Sequence, residues 1–484
     1  MIEKDFRALM PVWLSAMAAV ALSSAAGRNW EWLGIGAYFL GAPAIGSFVF
    51  GHEYSHRTIG MLLALPIPRW RIWLSKMILA LVLVAPLTGL AMYAGPLRGG
   101  SGARAVEIAL FTLTTLAGIC LATWFTMLTR SPLAGTVFTA GLAGVLMLVG
   151  AWIGVRLYGY TSAVDNFQIL FMWATLVPLC AIGVVLGWRT FVELETPDGP
   201  SADIHFDLPR GASEASTTSS RRHPLLLLAR KEVRLQQLAW TLGLIYALLY
   251  LGLSAWRRGT QDLDTLAQAL TMFFAGTVAI VLGAVTTAEE RQLGTHDMQL
   301  LQPIPAWQRW FVKTGMALTS AGILTVLLPD VLFLILPPQP GTPFFRGGTI
   351  PLQMIRLIGF VVATSVYVSA LSATTMRALT ATITVLVFVV VFFQRVIMVV
   401  VESVWRYTHT SSGRGYLRHS WLSGNQQLLF WSLFIGALVL LILRLASVNH
   451  RRPDWGVARI SLQVTAIALV AIAGFALAAA LGIR

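Results

Sequence analysis

Lysine is almost missing from this chain: 484 residues hold four, Lys4, Lys76, Lys231 and Lys313. That scarcity excludes one class of function. A phosphate-binding P-loop needs a lysine behind a glycine-rich turn, with serine or threonine after it, so that backbone amides and the ammonium hold the phosphates. Only Lys313 precedes a threonine, Thr314, and Val312 stands where the last glycine of such a loop belongs. The chain carries no ATPase motif and is not expected to be an enzyme. Cysteine is scarce too. Cys120 and Cys180 both fall in apolar runs, which excludes a disulfide framework and reads as two small buried apolar residues. Charged residues are only 12% of the chain against 56% hydrophobic, with a mean hydropathy of +0.72, far from the composition of a soluble domain.

What is abundant is apolar sequence in lengths that cross a bilayer. A helix needs roughly 18 or more apolar residues to traverse about 30 Å of hydrocarbon, and such runs fall near 11–27, 33–52, 76–95, 105–128, 133–157 and 167–188. A second series follows at 238–256, 266–287, 314–337, 354–374, 378–401 and 426–445, with one extra hydrophobic segment at 457–482. The expected fold is an all-α polytopic membrane protein with two parallel repeats of six transmembrane helices and an additional C-terminal helix. The expected divisions are 1–190, 191–225, 226–447 and 448–484. The second is a flexible linker rich in Ser, Thr, Gly and Pro.

The net charge of +14 is strung along short loops, not gathered in a nucleic-acid-binding patch, and follows topology instead. With a cytosolic N-terminus, all four lysines fall inside, with Arg57, Arg69, Arg71, Arg130, Arg189, Arg221, Arg222, Arg377, Arg451 and Arg452. Arg98, Arg104, Arg257, Arg258, Arg414 and Arg418 fall outside. Trp30, Trp32, Trp188, Trp240, Trp256, Trp405 and Trp421 flank spans, where an amphipathic ring suits the headgroup layer. The first residues could pass for a secretory signal. A matching Lys-acid-apolar-Arg string at Lys231 to Arg234, with Trp240 in the place of Trp13, argues against it.

An internal repeat organises the chain. Shifted by 237 positions, Glu53 aligns with Glu290, Thr58 with Thr295, Met61 with Met298, Leu63 with Leu300, Pro66-Ile67-Pro68 with Pro303-Ile304-Pro305, Trp70 with Trp307, Trp73 with Trp310 and Lys76 with Lys313, ten identities in 24 ungapped positions. Each copy joins the second and third spans of its half. It opens on an acid, continues as a short helix, is stopped by two prolines, and returns to the membrane after a lysine. Such an element would pass a push from a cytosolic partner into both flanking spans. The plainer alternative is an interfacial helix that covers headgroups.

Ala288-Glu289-Glu290-Arg291, Gly294-Thr295, Leu300-Leu301, Pro303-Ile304 and Lys313 resemble the signature loop of type 2 permeases of ATP-binding-cassette transporters. The first copy is similar, with Glu53, Thr58, Leu62-Leu63, Pro66-Ile67, Arg69 and Lys76, but has Arg57 where glycine precedes the threonine. The resemblance implies that these loops are coupling helices seated on ATPase subunits. The contact residues would be Glu53, Thr58, Leu63, Pro66, Pro68, Glu290, Gly294, Thr295, Leu300, Pro303 and Pro305. Short amphipathic helices would precede the first span of each half, at Lys4 to Leu9 and Lys231 to Leu238. The chain would be a fused pseudo-dimer in a cell membrane, partnered by two cytosolic P-loop ATPase copies and membrane lipids. It would export a substrate that the residues do not identify, with no cofactor, metal or nucleic acid.

Two other readings attach to particular features. His52-Glu53-Tyr54-Ser55-His56 spells H-E-x-x-H, which on a helix places two imidazoles for zinc with the glutamate as base, as in an intramembrane protease. The aligned second copy keeps only the acid, and His205, His223, His296, His409, His419 and His450 show no ligand spacing. An ion-driven secondary carrier is the remaining class. Asp330, Arg395 and Glu402 interrupt apolar runs; the resemblance implies a short extracellular helix before the last span, where the last two would reach water, and a place on the substrate path is the alternative.

Overall fold

The computed structural model describes residues 2–26, 31–56, 58–64, 66–94, 104–159, 162–194, 224–255, 261–295, 304–336, 352–392, 395, 399, 403, 424–451 and 456–480. Among these there is no strand, and thirteen helices are long and apolar enough to cross a membrane. The architecture is all-α and of multi-pass membrane type. The chain divides into two compact units, Met1–Leu227 and Leu228–Arg484.

The first unit contains α1 (Ile2–Ala26), α2 (Glu31–Ser55), the short α3 (Ile59–Leu63), α4 (Arg69–Ala94), α5 (Arg104–Thr129), α6 (Pro132–Tyr158) and α7 (Ser162–Glu193). In the second unit are α8 (Pro224–Leu235), α9 (Gln237–Ala255), α10 (Gln261–Gln292), α11 (Ala306–Gly322), a π-helical segment (Ile323–Leu327), α12 (Leu328–Ile335), α13 (Leu352–Leu371), α14 (Thr375–Phe392), α15 (Gly424–Arg451) and α16 (Val457–Ala480). The separate amphipathic helix expected at Lys4 to Leu9 is instead the first part of continuous α1. In the second unit the chain does break, at Gln236, between α8 and α9.

The buried centre of the first unit is α2, which packs on α1, α4, α5 and α6. Lipid tails are as apolar as leucine, so helices in a bilayer gain most from close backbone approach at small residues. A Cβ on Gly46 would lie 1.7 Å from the Gly118 carbonyl oxygen of α5, so only glycine permits that crossing. In the second unit α10 takes the central place against α9, α11, α13 and α14. There Ser365 and Ser369 of α13 donate to the carbonyls of Ile280 and Ala284, and a Cβ on Gly283 would meet Ser365 Cβ at 2.4 Å.

Helix ends follow local chemistry. Ser131 caps α6 by accepting from the Ala134 amide, with Pro132 at the first helical position. Pro329 has no N–H to donate and its ring crowds the carbonyl four residues earlier, that of Thr325, which lies within the π segment. The extra C-terminal helix α16 is tied to α15. Asn449 and Gln463 exchange amide hydrogen bonds of 2.9 and 3.0 Å, Tyr367 donates to Gln463, and the Phe434 ring fills the space above Gly474.

Candidate functional site

The two aligned loops each begin at the end of a central helix. In the second unit, the Thr295 amide donates to the Glu290 carbonyl at 3.0 Å and the Gly294 amide to the Arg291 carbonyl at 3.1 Å. Gly294 has φ +69°. This is a Schellman stop: the residue after the helix turns left-handed, which glycine does without steric strain. The glycine before the threonine thus has a backbone reason. In the first unit the equivalent amide, Thr58, donates to the Glu53 carbonyl at 2.9 Å. Arg57, at the glycine's place, lies outside the described residues.

Past the stop, the first loop continues as α3, which opens at Thr58, while Leu63 is half-buried at its end and Pro66 and Pro68 are exposed. The Pro68 carbonyl accepts from the amides of Arg71 and Ile72 and so starts α4. Pro305 does the same for α11, accepting from Gln308 and Arg309. Leu300 and Pro303 lie outside the described residues.

The side chains of Glu53 and Glu290 point inward: the residues are 3% and 0% exposed. Glu53 accepts from the Thr58 hydroxyl and pairs with Lys76 Nζ at 3.5 Å. Lys76, 1% exposed, reaches Asp5 of α1 at 3.2 Å and the Val49 carbonyl at 3.2 Å. One buried lysine therefore clamps the end of α2, the start of α4 and the start of α1. In the second unit Lys313 of α11 pairs with Glu290 Oε2, and Lys231 of α8 pairs with Glu290 Oε1 at 2.6 Å. Glu232 of α8, 1% exposed, stands beside them. Removing one partner from such a buried pair strands a charge in low dielectric, at a cost of about 3–5 kcal/mol. Each cluster is thus a brace between helices.

Asp5 and Glu232 were not among the residues expected from the sequence. Their signal in the sequence was the Lys-acid-apolar-Arg string, in which both follow the lysine; that Lys76 and Lys313 are buried, and so require buried acids, is visible only in the structure.

The outward faces are different in kind. Met61, Ile67 and Trp70 of the first loop are 75%, 40% and 51% exposed, and Leu293, Trp307 and Phe311 around the second are 42%, 58% and 73% exposed. Behind them, Trp73 packs edge-on against Trp188 of α7, and Trp310 lies 5.3 Å from the His450 ring of α15. Further bonds attach the second loop's base to its bundle. Gln292 accepts from the Thr375 amide and hydroxyl at the start of α14, and Ser369 accepts from the Ala288 amide.

The H-E-x-x-H string adopts helical spacing, with the His52 and His56 rings 4.5 Å apart. Its glutamate is engaged by Thr58 and Lys76. No group of three or more His, Cys, Asp or Glu able to hold a metal occurs among the described residues. Asp330 lies in the first turn of α12, and Arg395 is exposed beyond the end of α14. Glu402 lies outside the described residues. Compared with known proteins, the chain matches no family model, no curated protein and no solved structure.

Proposed function

We propose that this chain is the membrane-embedded permease of an ATP-binding-cassette transporter, two six-helix repeats fused in tandem. It exports its substrate across a cell membrane using ATP hydrolysed by two copies of a separate cytosolic subunit. The observation that carries this reading is the pair of loops: each is braced by a buried acid–lysine cluster, and each turns exposed apolar side chains outward. A rigid base beneath an apolar, outward surface is what a mechanical docking element requires. A load applied at Met61 or Trp70 passes through Glu53 and Lys76 into α1, α2 and α4. Likewise, load at Trp307 or Phe311 passes through Glu290, Lys313 and Lys231 into α8, α10 and α11.

Within this reading, Met61, Trp70, Trp307 and Phe311 make the contact, while Glu53 and Glu290 transmit it. The test is co-expression with a candidate cytosolic P-loop ATPase subunit. Met61→Glu with Trp307→Glu should abolish co-purification while leaving the permease's own melting temperature within about 1 °C, as expected for exposed positions. Undiminished association would remove the docking reading. Reconstituted vesicles that transport on an ion gradient without ATP would point to a secondary carrier, and stoichiometric zinc lost on His52→Ala would point to the protease.

A further inference from the structure

The two braces distribute their hydrogen-bond donors differently. In the first, Lys76 stands between Asp5 and Glu53, and the Thr58 hydroxyl gives Glu53 a further donor. In the second, both lysines close on Glu290, Lys313 at one carboxylate oxygen and Lys231 at the other. Glu232, which occupies Asp5's place in the Lys-acid-apolar-Arg string, is left 1% exposed with Oε1 lacking any hydrogen-bond partner. An ionised carboxylate buried without a donor is costly, and neutralisation by a proton relieves the cost.

We propose that Glu232 is a proton-binding site built into the second brace, and that the brace is assembled with this carboxyl protonated. The proton comes from water and binds to one carboxylate oxygen; no other bond changes. The charged groups facing Glu232 are Lys313 of α11, Glu290 of α10 and Lys231 of its own helix. Burial pushes the carboxyl up to about 7; Lys313 opposes the rise, Glu290 adds to it and Lys231 opposes it. Glu290 and Lys313 are 0% and 1% exposed, whereas the Lys231 side chain is 39% exposed. The buried part of the cluster is then one cation, one anion and a neutral acid.

The linkage has a definite sign. The folded-state pKa lies above the ordinary carboxyl value, so the contribution to stability is full below about 4.5 and is lost as pH rises through about 7. Above that, the brace holds an ionised acid beside Glu290, and Lys313 is drawn between two carboxylates. Because Glu232 lies on α8, which leads directly into α9, the change of charge is felt at the base of the second loop and not the first.

The experiment is a pH titration of the full-length protein in lipid nanodiscs, read in two ways. Infrared difference spectra of the wild type should show a protonated-carboxyl carbonyl band near neutral pH, bleached on alkalinisation and missing in Glu232→Gln. The wild-type melting temperature should fall between about pH 4.5 and about pH 7 relative to that of Glu232→Gln, which mimics the protonated form, so the gap between them widens over that range and is level above it. Glu232→Ala, if it folds, should also lack the band. A gap that stays constant with pH, or a band unchanged in Glu232→Gln, overturns the proposal. Neither readout involves an ATPase, so failure here leaves the docking reading standing.

Discussion

One lysine shared by two acids braces the first loop; two lysines gathered on one acid brace the second. Both arrangements use corresponding positions in the sequence, and both bury the acid that opens the loop. Glu53 and Glu290 are 3% and 0% exposed, so these acids hold helices together, and the exposed side chains of the loops are the apolar ones. The difference lies in the third helix recruited. In the first unit it is the continuous α1 through Asp5; in the second it is the separate α8 through Lys231.

The largest effect that would break the comparison comes from the lysines. Lys76→Met leaves Asp5 and Glu53 without their shared buried cation and should lower stability by about 3–5 kcal/mol in thermal unfolding followed by tryptophan fluorescence. Lys313→Met should cost less, because Lys231 still pairs with Glu290. Equal losses would mean that the extra lysine contributes nothing. Next come the helix crossings beneath the loops. Gly46→Ala drives a Cβ into the Gly118 carbonyl and should cost about 1–3 kcal/mol, whereas Gly276→Ala on α10, with nothing within 4 Å, should gain about 0.5–1 kcal/mol. The smallest effects separate the loops themselves. Gly294→Ala should cost about 1–2 kcal/mol because its φ of +69° is left-handed. By contrast, Gly60→Ala in the helical α3, with open space around it, should gain about 0.5–1 kcal/mol. If both changes are neutral in the same assay, the left-handed stop is not what shapes the second loop.

Much of the fold was legible because bilayer thickness imposes itself on composition. The thirteen apolar runs correspond to the thirteen long helices among the described residues, several of which extend beyond their runs, as α4 does to Arg69 and α10 to Gln292. Hydropathy ends where charge begins, but a helix continues as long as its backbone bonds are satisfied, and buried pairs such as Lys76 with Asp5 let it do so. The break expected after Leu9 failed for a related reason. Pro11 fits inside α1, whereas Gln236 accepts from the Ser320 hydroxyl where α8 ends and α9 begins.

At the loops, Glu53, Thr58, Glu290, Gly294 and Thr295 were readable as a repeated string, and their backbone roles follow from it. Which way the acids point was not readable, since an acid next to a loop is as compatible with a partner's surface as with a buried lysine. By itself the sequence determined the number of apolar helices, the absence of a P-loop and the identity of the two loops. These rest on local properties: side-chain transfer energies, a missing residue pattern, and identity at a fixed spacing. Tertiary structure alone decided that Lys76 and Lys313 are buried, that Asp5 joins its brace as a bonded partner, and that Glu232 does not. Ion pairs spanning 71 and 23 residues form only once the helices pack, and donors are limited, so which acid goes without one is settled by distance in the assembled bundle.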